Sequence, residues 1–176
     1  YRYIINNGEG NDLTADLDVG DAYYGGNSII LRGNMAQGKE TVMKMYSASL
    51  PAAENMIYTT TAKTNGTAVA LDAVLTLDDG TEMVLEGDKK VGGEWTTVSY
   101  DTSELAGKTI RTISYRLTAE EEVKGLQFRF GNITMAEQDS IGTAAASNVQ
   151  VLDSEFDEDA MFAGVRLSWE SDAESE

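Results

Sequence analysis

Apolar and polar residues in this chain alternate with the two-residue period of extended backbone. The clearest run is residues 69–77, where Val69, Leu71, Ala73, Leu75 and Leu77 share one parity, the pattern of a strand with one covered face. In residues 40–50, ETVMKMYSASL, Val42, Lys44, Tyr46 and Ala48 alternate with Met43, Met45, Ser47 and Ser49, and Pro51, the single proline, closes the run. Leu126, Phe128 and Phe130 share a face within GLQFRFGNITM. Residues 109–117, TIRTISYRL, also alternate, but their buried face is ambiguous near the start. The β-branched and aromatic residues that favour strands mark further strands at residues 1–7, 13–17, 28–33, 56–63, 82–87 and 95–100.

Turn residues punctuate these runs. GEGND, Thr64-Asn65-Gly66, Asp78-Asp79-Gly80 and the acidic stretch at residues 120–122 each separate two apolar segments. In DAYYGGNSIILRG, residues 21–33, a loop carrying Tyr23, Tyr24, Gly25 and Gly26 runs straight into a strand. The paired glycines permit a sharp turn that presents both tyrosines. One short helix is predicted over residues 101–108, DTSELAGK, with Asp101 or Thr102 as cap and Gly107 as terminator. About nine strands at short spacing with almost no helix predict an all-β fold, an antiparallel two-sheet sandwich of jelly-roll type. That sandwich spans residues 1–136. Small and polar residues at 137–147, EQDSIGTAAAS, predict a linker, and residues 148–176 predict two more strands around the acidic turn DEDAM, then an acidic tail.

Composition narrows the function. The formal net charge is −17, and the few basic residues are scattered, which excludes nucleic acid as a partner and disfavours an anionic membrane surface. No apolar run approaches the roughly 20 residues that cross a bilayer, so no membrane insertion is expected. A chain that starts at Tyr1 reads as a piece of a longer protein. There is no cysteine and no histidine, which removes imidazole-dependent nucleophiles and the usual zinc ligands. The sequence offers no catalytic residue and no committed metal site.

Three aromatic residues are candidate sugar contacts. Tyr23 and Tyr24 beside their glycines, and Trp95 after Gly92-Gly93-Glu94, offer rings whose negative faces attract sugar C–H groups; the alternative is that they plug the end of the sandwich. Tyr46, Tyr58 and Tyr115 lie inside strand patterns and read as core or sheet-surface residues. Asp18 and Asp21, with carbonyls from residues 25–27, offer hard oxygens for a structural calcium, against which stands the abundance of acids. Asp78-Asp79 and Glu120-Glu121-Glu122 sit in turns, where nothing raises a pKa toward the paired-carboxylate chemistry of glycosidases, and read as solvated.

DAYYGGNSIILRG, ETVMKMYSASL, GEWTTVSYDTSELAGKTIRTISYRL and LQFRFGNITM, in that order, resemble the galactose-binding-like β-sandwich that follows the catalytic barrel in family 85 glycoside hydrolases, the endo-β-N-acetylglucosaminidases. The resemblance covers residues 20–136. VQVLDSEFDEDAMFAGVRLSWE resembles the opening strands of the fibronectin-type-III-like domain that commonly comes next. The resemblance implies a secreted bacterial parent, extracellular or on the cell surface, that cleaves the chitobiose core of N-glycans by a substrate-assisted mechanism on a (β/α)8 barrel. The catalytic Asn and Glu of that family lie in the barrel, and no segment here matches their motif. The implied role is therefore a non-catalytic accessory domain that packs against the barrel through apolar residues on an outer sheet face. The alternatives are an autonomous carbohydrate-binding module and a cell-surface spacer. Asn65-Gly-Thr67 and Asn132-Ile-Thr134 fit the glycan-acceptor pattern but read, in a bacterial protein, as turn and strand residues.

Overall fold

The computed structural model describes residues 3–137 in full, together with the backbone of two later strands at residues 147–157 and 162–170. Ten strands build the first unit: β1 (Ile4–Asn7), β2 (Thr14–Asp18), β3 (Ser28–Met35), β4 (Glu40–Pro51), β5 (Met56–Thr64), β6 (Val69–Leu77), β7 (Glu82–Leu85), β8 (Thr96–Tyr100), β9 (Thr109–Ala119) and β10 (Val123–Glu137). They form two five-stranded sheets, β1-β4-β9-β6-β7 and β2-β3-β10-β5-β8. Every pairing is antiparallel, giving the expected two-sheet sandwich.

Alternation sets the core. From the first sheet, Met43, Leu71, Leu75, Tyr115 and Leu117 are buried, and from the second, Leu31, Met35, Ala62, Val98, Phe128 and Phe130 meet them. The ambiguous face of β9 resolves into a bulge. Thr76 pairs with Thr112 but its neighbour Leu77 pairs with Ile110, so Arg111 is the extra residue that flips the parity. Ile110 is thereby buried on one side of the bulge, and Ile113, Tyr115 and Leu117 on the other.

At the centre the two layers are joined by hydroxyls. Tyr58 Oη in the second sheet donates to Tyr115 Oη in the first at 2.8 Å, and Tyr115 Oη lies 2.6 Å from Thr60 Oγ1. Both tyrosines are fully buried, as their place in the strand pattern suggests, whereas Tyr46 is half exposed.

The short helix predicted over residues 101–108 does not form. The Ser103 N–H does donate to Asp101 Oδ1 at 2.9 Å, the capping contact expected. The following bonds, however, run from Leu105 N–H to Thr102 O and from Lys108 N–H to Leu105 O, each spanning three residues rather than four. Gly107, at φ +74°, sends its N–H to Ala52 O, and the Ala52 N–H returns to Lys108 O. These tertiary bonds fix a chain of turns over the fully buried Leu105 before a helix can propagate.

The chain divides into two units, residues 1–138 and 139–176. In the second, β11 (Ser147–Asp157) and β12 (Phe162–Glu170) pair antiparallel as a hairpin. Most of the predicted linker, the DEDAM turn after Asp157 and the acidic tail lie outside the described residues.

Candidate functional site

The connection from β2 to β3 is tied down over the second sheet by charge. Arg129 and Lys63 alternate with the core residues Phe128, Phe130 and Ala62, so they project from the face opposite the core. Arg129 Nε donates to Asp18 Oδ2 at 2.7 Å, and Lys63 Nζ to Asp21 Oδ2 at 3.0 Å. Ser28 Oγ donates to the Asp21 carbonyl at 2.7 Å. The guanidinium of Arg129 holds the Asp18 carboxyl below its usual 3.8. Gly25 turns the loop at φ +71°; Gly26, paired with it in the sequence, needs no left-handed backbone.

This anchored loop brings together the three aromatics singled out from sequence. The Tyr23 ring packs edge-on to Tyr24 at 4.4 Å between centroids and tilts against Trp95 at 5.5 Å. Lys63 Nζ stands 5.8 Å from the Trp95 ring centroid, a weak cation–π contact. Tyr24 is 71% exposed and Tyr23 38%, while Trp95 is half-buried. The neighbouring Tyr24 raises the Tyr23 hydroxyl above its ordinary 10.0, so Tyr23 is neutral at physiological pH. The result is a shelf in which the freely exposed Tyr24 ring leans on Tyr23, and Tyr23 on Trp95.

The residue beneath the shelf is Gly131 of β10, which the alternation pattern did not single out. A β-carbon there would lie 2.7 Å from Tyr23 Cβ and 3.0 Å from Trp95 Cζ3. A glycine inside a strand, between Phe130 and Asn132, is the available sequence signal of such a close approach. Gly131→Ala is expected to push Tyr23 off Trp95 at a cost of roughly 1–3 kcal/mol. Near-ultraviolet circular dichroism should lose intensity from the coupled rings while the far-ultraviolet spectrum holds; an unchanged near-ultraviolet spectrum would count against this packing.

The other candidates behave differently. Asp18 and Asp21 face Arg129, Arg32 and Lys63, so the chain's own cations take the oxygens considered for calcium, and the two residues do not fit such a site. No group of three or more acidic ligands suited to a metal occurs among the described residues. Asp79 accepts the Thr81 N–H at 2.8 Å, which holds its carboxyl below 3.8, the opposite of what a general acid requires. Glu120 pairs with Lys90, and Glu122 with Lys124, at exposed positions. Asn65 ties its turn to β10, donating to Gly125 O and accepting the Gln127 N–H.

A large groove lies elsewhere. Between the edge strands β1 and β2, Tyr3, Ile4, Ile5, Leu13 and Leu17 border about 1060 Å³ in which Asp16 is the single charged side chain among the described residues. Ile4 and Leu17 are each more than half exposed. Prominent apolar surface thus lies at the seam between the sheets.

Known structures share this architecture. The Endo-D glycoside hydrolase domain of Streptococcus pneumoniae R6 superposes with a TM-score of 0.64 at 24% identity, over 97% of this chain and 27% of that one. The family 11 carbohydrate-binding module of a cellulosomal cellulase of Clostridium thermocellum matches with a TM-score of 0.53 at 14% identity, over 80% of this chain and 91% of the module. A carbohydrate-binding module of the β-sandwich superfamily matches with a TM-score of 0.59 at 8% identity, over 77% of this chain and 57% of that one. The chain has the fold of a galactose-binding-like β-sandwich. It spans about a quarter of the Endo-D chain. No protein-family model and no curated protein sequence matches it.

Proposed function

We propose that this galactose-binding-like sandwich is a non-catalytic accessory module of a secreted bacterial endo-β-N-acetylglucosaminidase, seated beside the catalytic domain and touching the glycan through Tyr23, Tyr24 and Trp95. The observation that carries the reading is the convergence of these three rings over Gly131. An exposed aromatic face offers C–H contacts to a pyranose, and a rigid loop loses little entropy when it binds. The likeness to part of a glycoside hydrolase chain supports the setting. The apolar seam beside β1 and β2 supplies surface suited to packing on another domain.

The assignment is tested by incubating the chain with a high-mannose glycoprotein, alone and as part of the longer enzyme. The isolated chain should release no glycan; release by it would overturn the non-catalytic role. Removing residues 1–136 from the longer enzyme should weaken action on the glycoprotein mainly through a higher KM. The 71% exposure of Tyr24 favours a second reading, a module that binds glycans on its own. Saturable binding by the isolated chain distinguishes it from a domain that serves only as a packing partner.

A further inference from the structure

We propose that the cleft behind the aromatic shelf, under Tyr46, is a second subsite that takes a neutral pyranose unit of the same glycan; the inference rests on the glycan-binding reading of the shelf. The cleft measures about 350 Å³ and lies between Tyr46 of β4 in the first sheet and Ile29, Gly131 and Asn132 of the second, with Asn27 and Leu17 at its rim. Its size falls at the lower end of the roughly 300–1,000 Å³ range of small-molecule sites.

Three features define its ligand. Tyr46 is 48% exposed, directly after the buried Met45 of β4, so the sheet presents an aromatic side chain that it uses only in part for its own packing. Among the described residues the lining carries no charged side chain, although the chain bears a net charge of −17. A charged ligand would lack a counter-charge there, and a neutral one need not shed a tight ion shell. Finally, polar groups are available. The Asn27 side chain makes no hydrogen bond among the described residues. Asn132 uses its amide N–H on Thr134 Oγ1 at 2.8 Å, which leaves its carbonyl oxygen free to accept. Amide donors and acceptors beside an aromatic face are the groups that hold sugar hydroxyls.

Gly131 joins the two regions. It lines the cleft and also carries Tyr23 and Trp95 of the shelf. A glycan running past Gly131 would meet the shelf with one unit and Tyr46 with another, and two linked contacts bind more tightly than either does alone.

The test is a titration of the isotope-labelled chain with a free high-mannose oligosaccharide, followed by amide chemical shifts and the Trp95 indole signal. Wild type, Tyr46→Ala, Asn132→Ala and Tyr24→Ala are compared. The amides of Asn27, Tyr46 and Asn132 should shift and saturate together with the Trp95 indole. Tyr46→Ala, at a half-exposed position, should weaken binding about tenfold, the loss of one stacking contact, and Asn132→Ala should weaken it less. If the indole saturates while the cleft amides stay still and Tyr46→Ala binds like wild type, the subsite is wrong and the shelf reading survives. Cleft shifts that saturate equally in Tyr24→Ala, without the indole, would uphold the subsite and sink the shelf. Silence at both would overturn both.

Discussion

Tyr115→Ala is expected to destabilise the sandwich by roughly 3–5 kcal/mol, the range for emptying a buried aromatic site, and to lower Tm by more than about 10 °C. Tyr115 is fully buried, its ring lies 5.2 Å from Phe130, and its hydroxyl joins Tyr58 and Thr60 across the two sheets. Truncation removes the ring and deprives both buried partners of their bond to Tyr115, so a large part of a typical stability of about 5–15 kcal/mol is lost. Tyr115→Phe separates the two contributions. It keeps the ring and deletes one hydroxyl, which should cost only about 1–3 kcal/mol. Urea unfolding of both variants provides the check. Equal losses in the two would mean that the hydroxyl bridge, rather than ring packing, dominates the site.

Alkaline pH should unfold the domain steeply. Burial raises the Tyr58, Tyr100 and Tyr115 hydroxyls above the ordinary 10.0, with Tyr115 well above it. Below that value all three are protonated in both the folded and the unfolded chain, and their contribution does not vary with pH. Above it the unfolded chain loses protons that the folded core keeps, so stability falls as pH rises, by up to about 1.4 kcal/mol per pH unit for each tyrosine. Three such groups make the loss cooperative. Tyrosinate absorbance from the buried rings should therefore appear together with loss of strand circular dichroism. Tyr100→Phe should flatten the decline by about one third on this reckoning. A stability that stays level well above the ordinary tyrosine value would refute the buried cluster.

The strands were legible because a half-buried sheet writes its face into the sequence. Val69, Leu71, Ala73, Leu75 and Leu77 share one parity and are all buried. Period two reveals a covered face but not the neighbour, and nothing local places β9 between β4 and β6. The start of β9 was ambiguous for a definite reason, since the bulge at Arg111 moves Ile110 and Ile113 onto the same side despite opposite parity. Residues 101–108 carry good helix punctuation, but bonds to Ala52 override it.

The site was legible in its parts and not in its assembly. Tyr23, Tyr24 and Trp95 stand out as aromatics beside glycines, yet no local signal shows that residues so far apart in the chain share one shelf. The reason lies in Gly131, whose missing side chain admits both rings. Asp18 and Asp21 look like metal ligands in sequence because their partners, Arg129 and Lys63, arrive from distant strands. Tyr46 gave no warning, since an outward tyrosine and an inward one look alike in an alternating pattern.

Affinity electrophoresis through a gel containing a high-mannose glycoprotein, comparing wild type with Trp95→Ala, tests the central claim most directly. Wild type should be retarded in proportion to the immobilised glycan, and Trp95→Ala, with its fold verified by circular dichroism, should run as in a plain gel. Equal mobility of the two proteins would contradict the account.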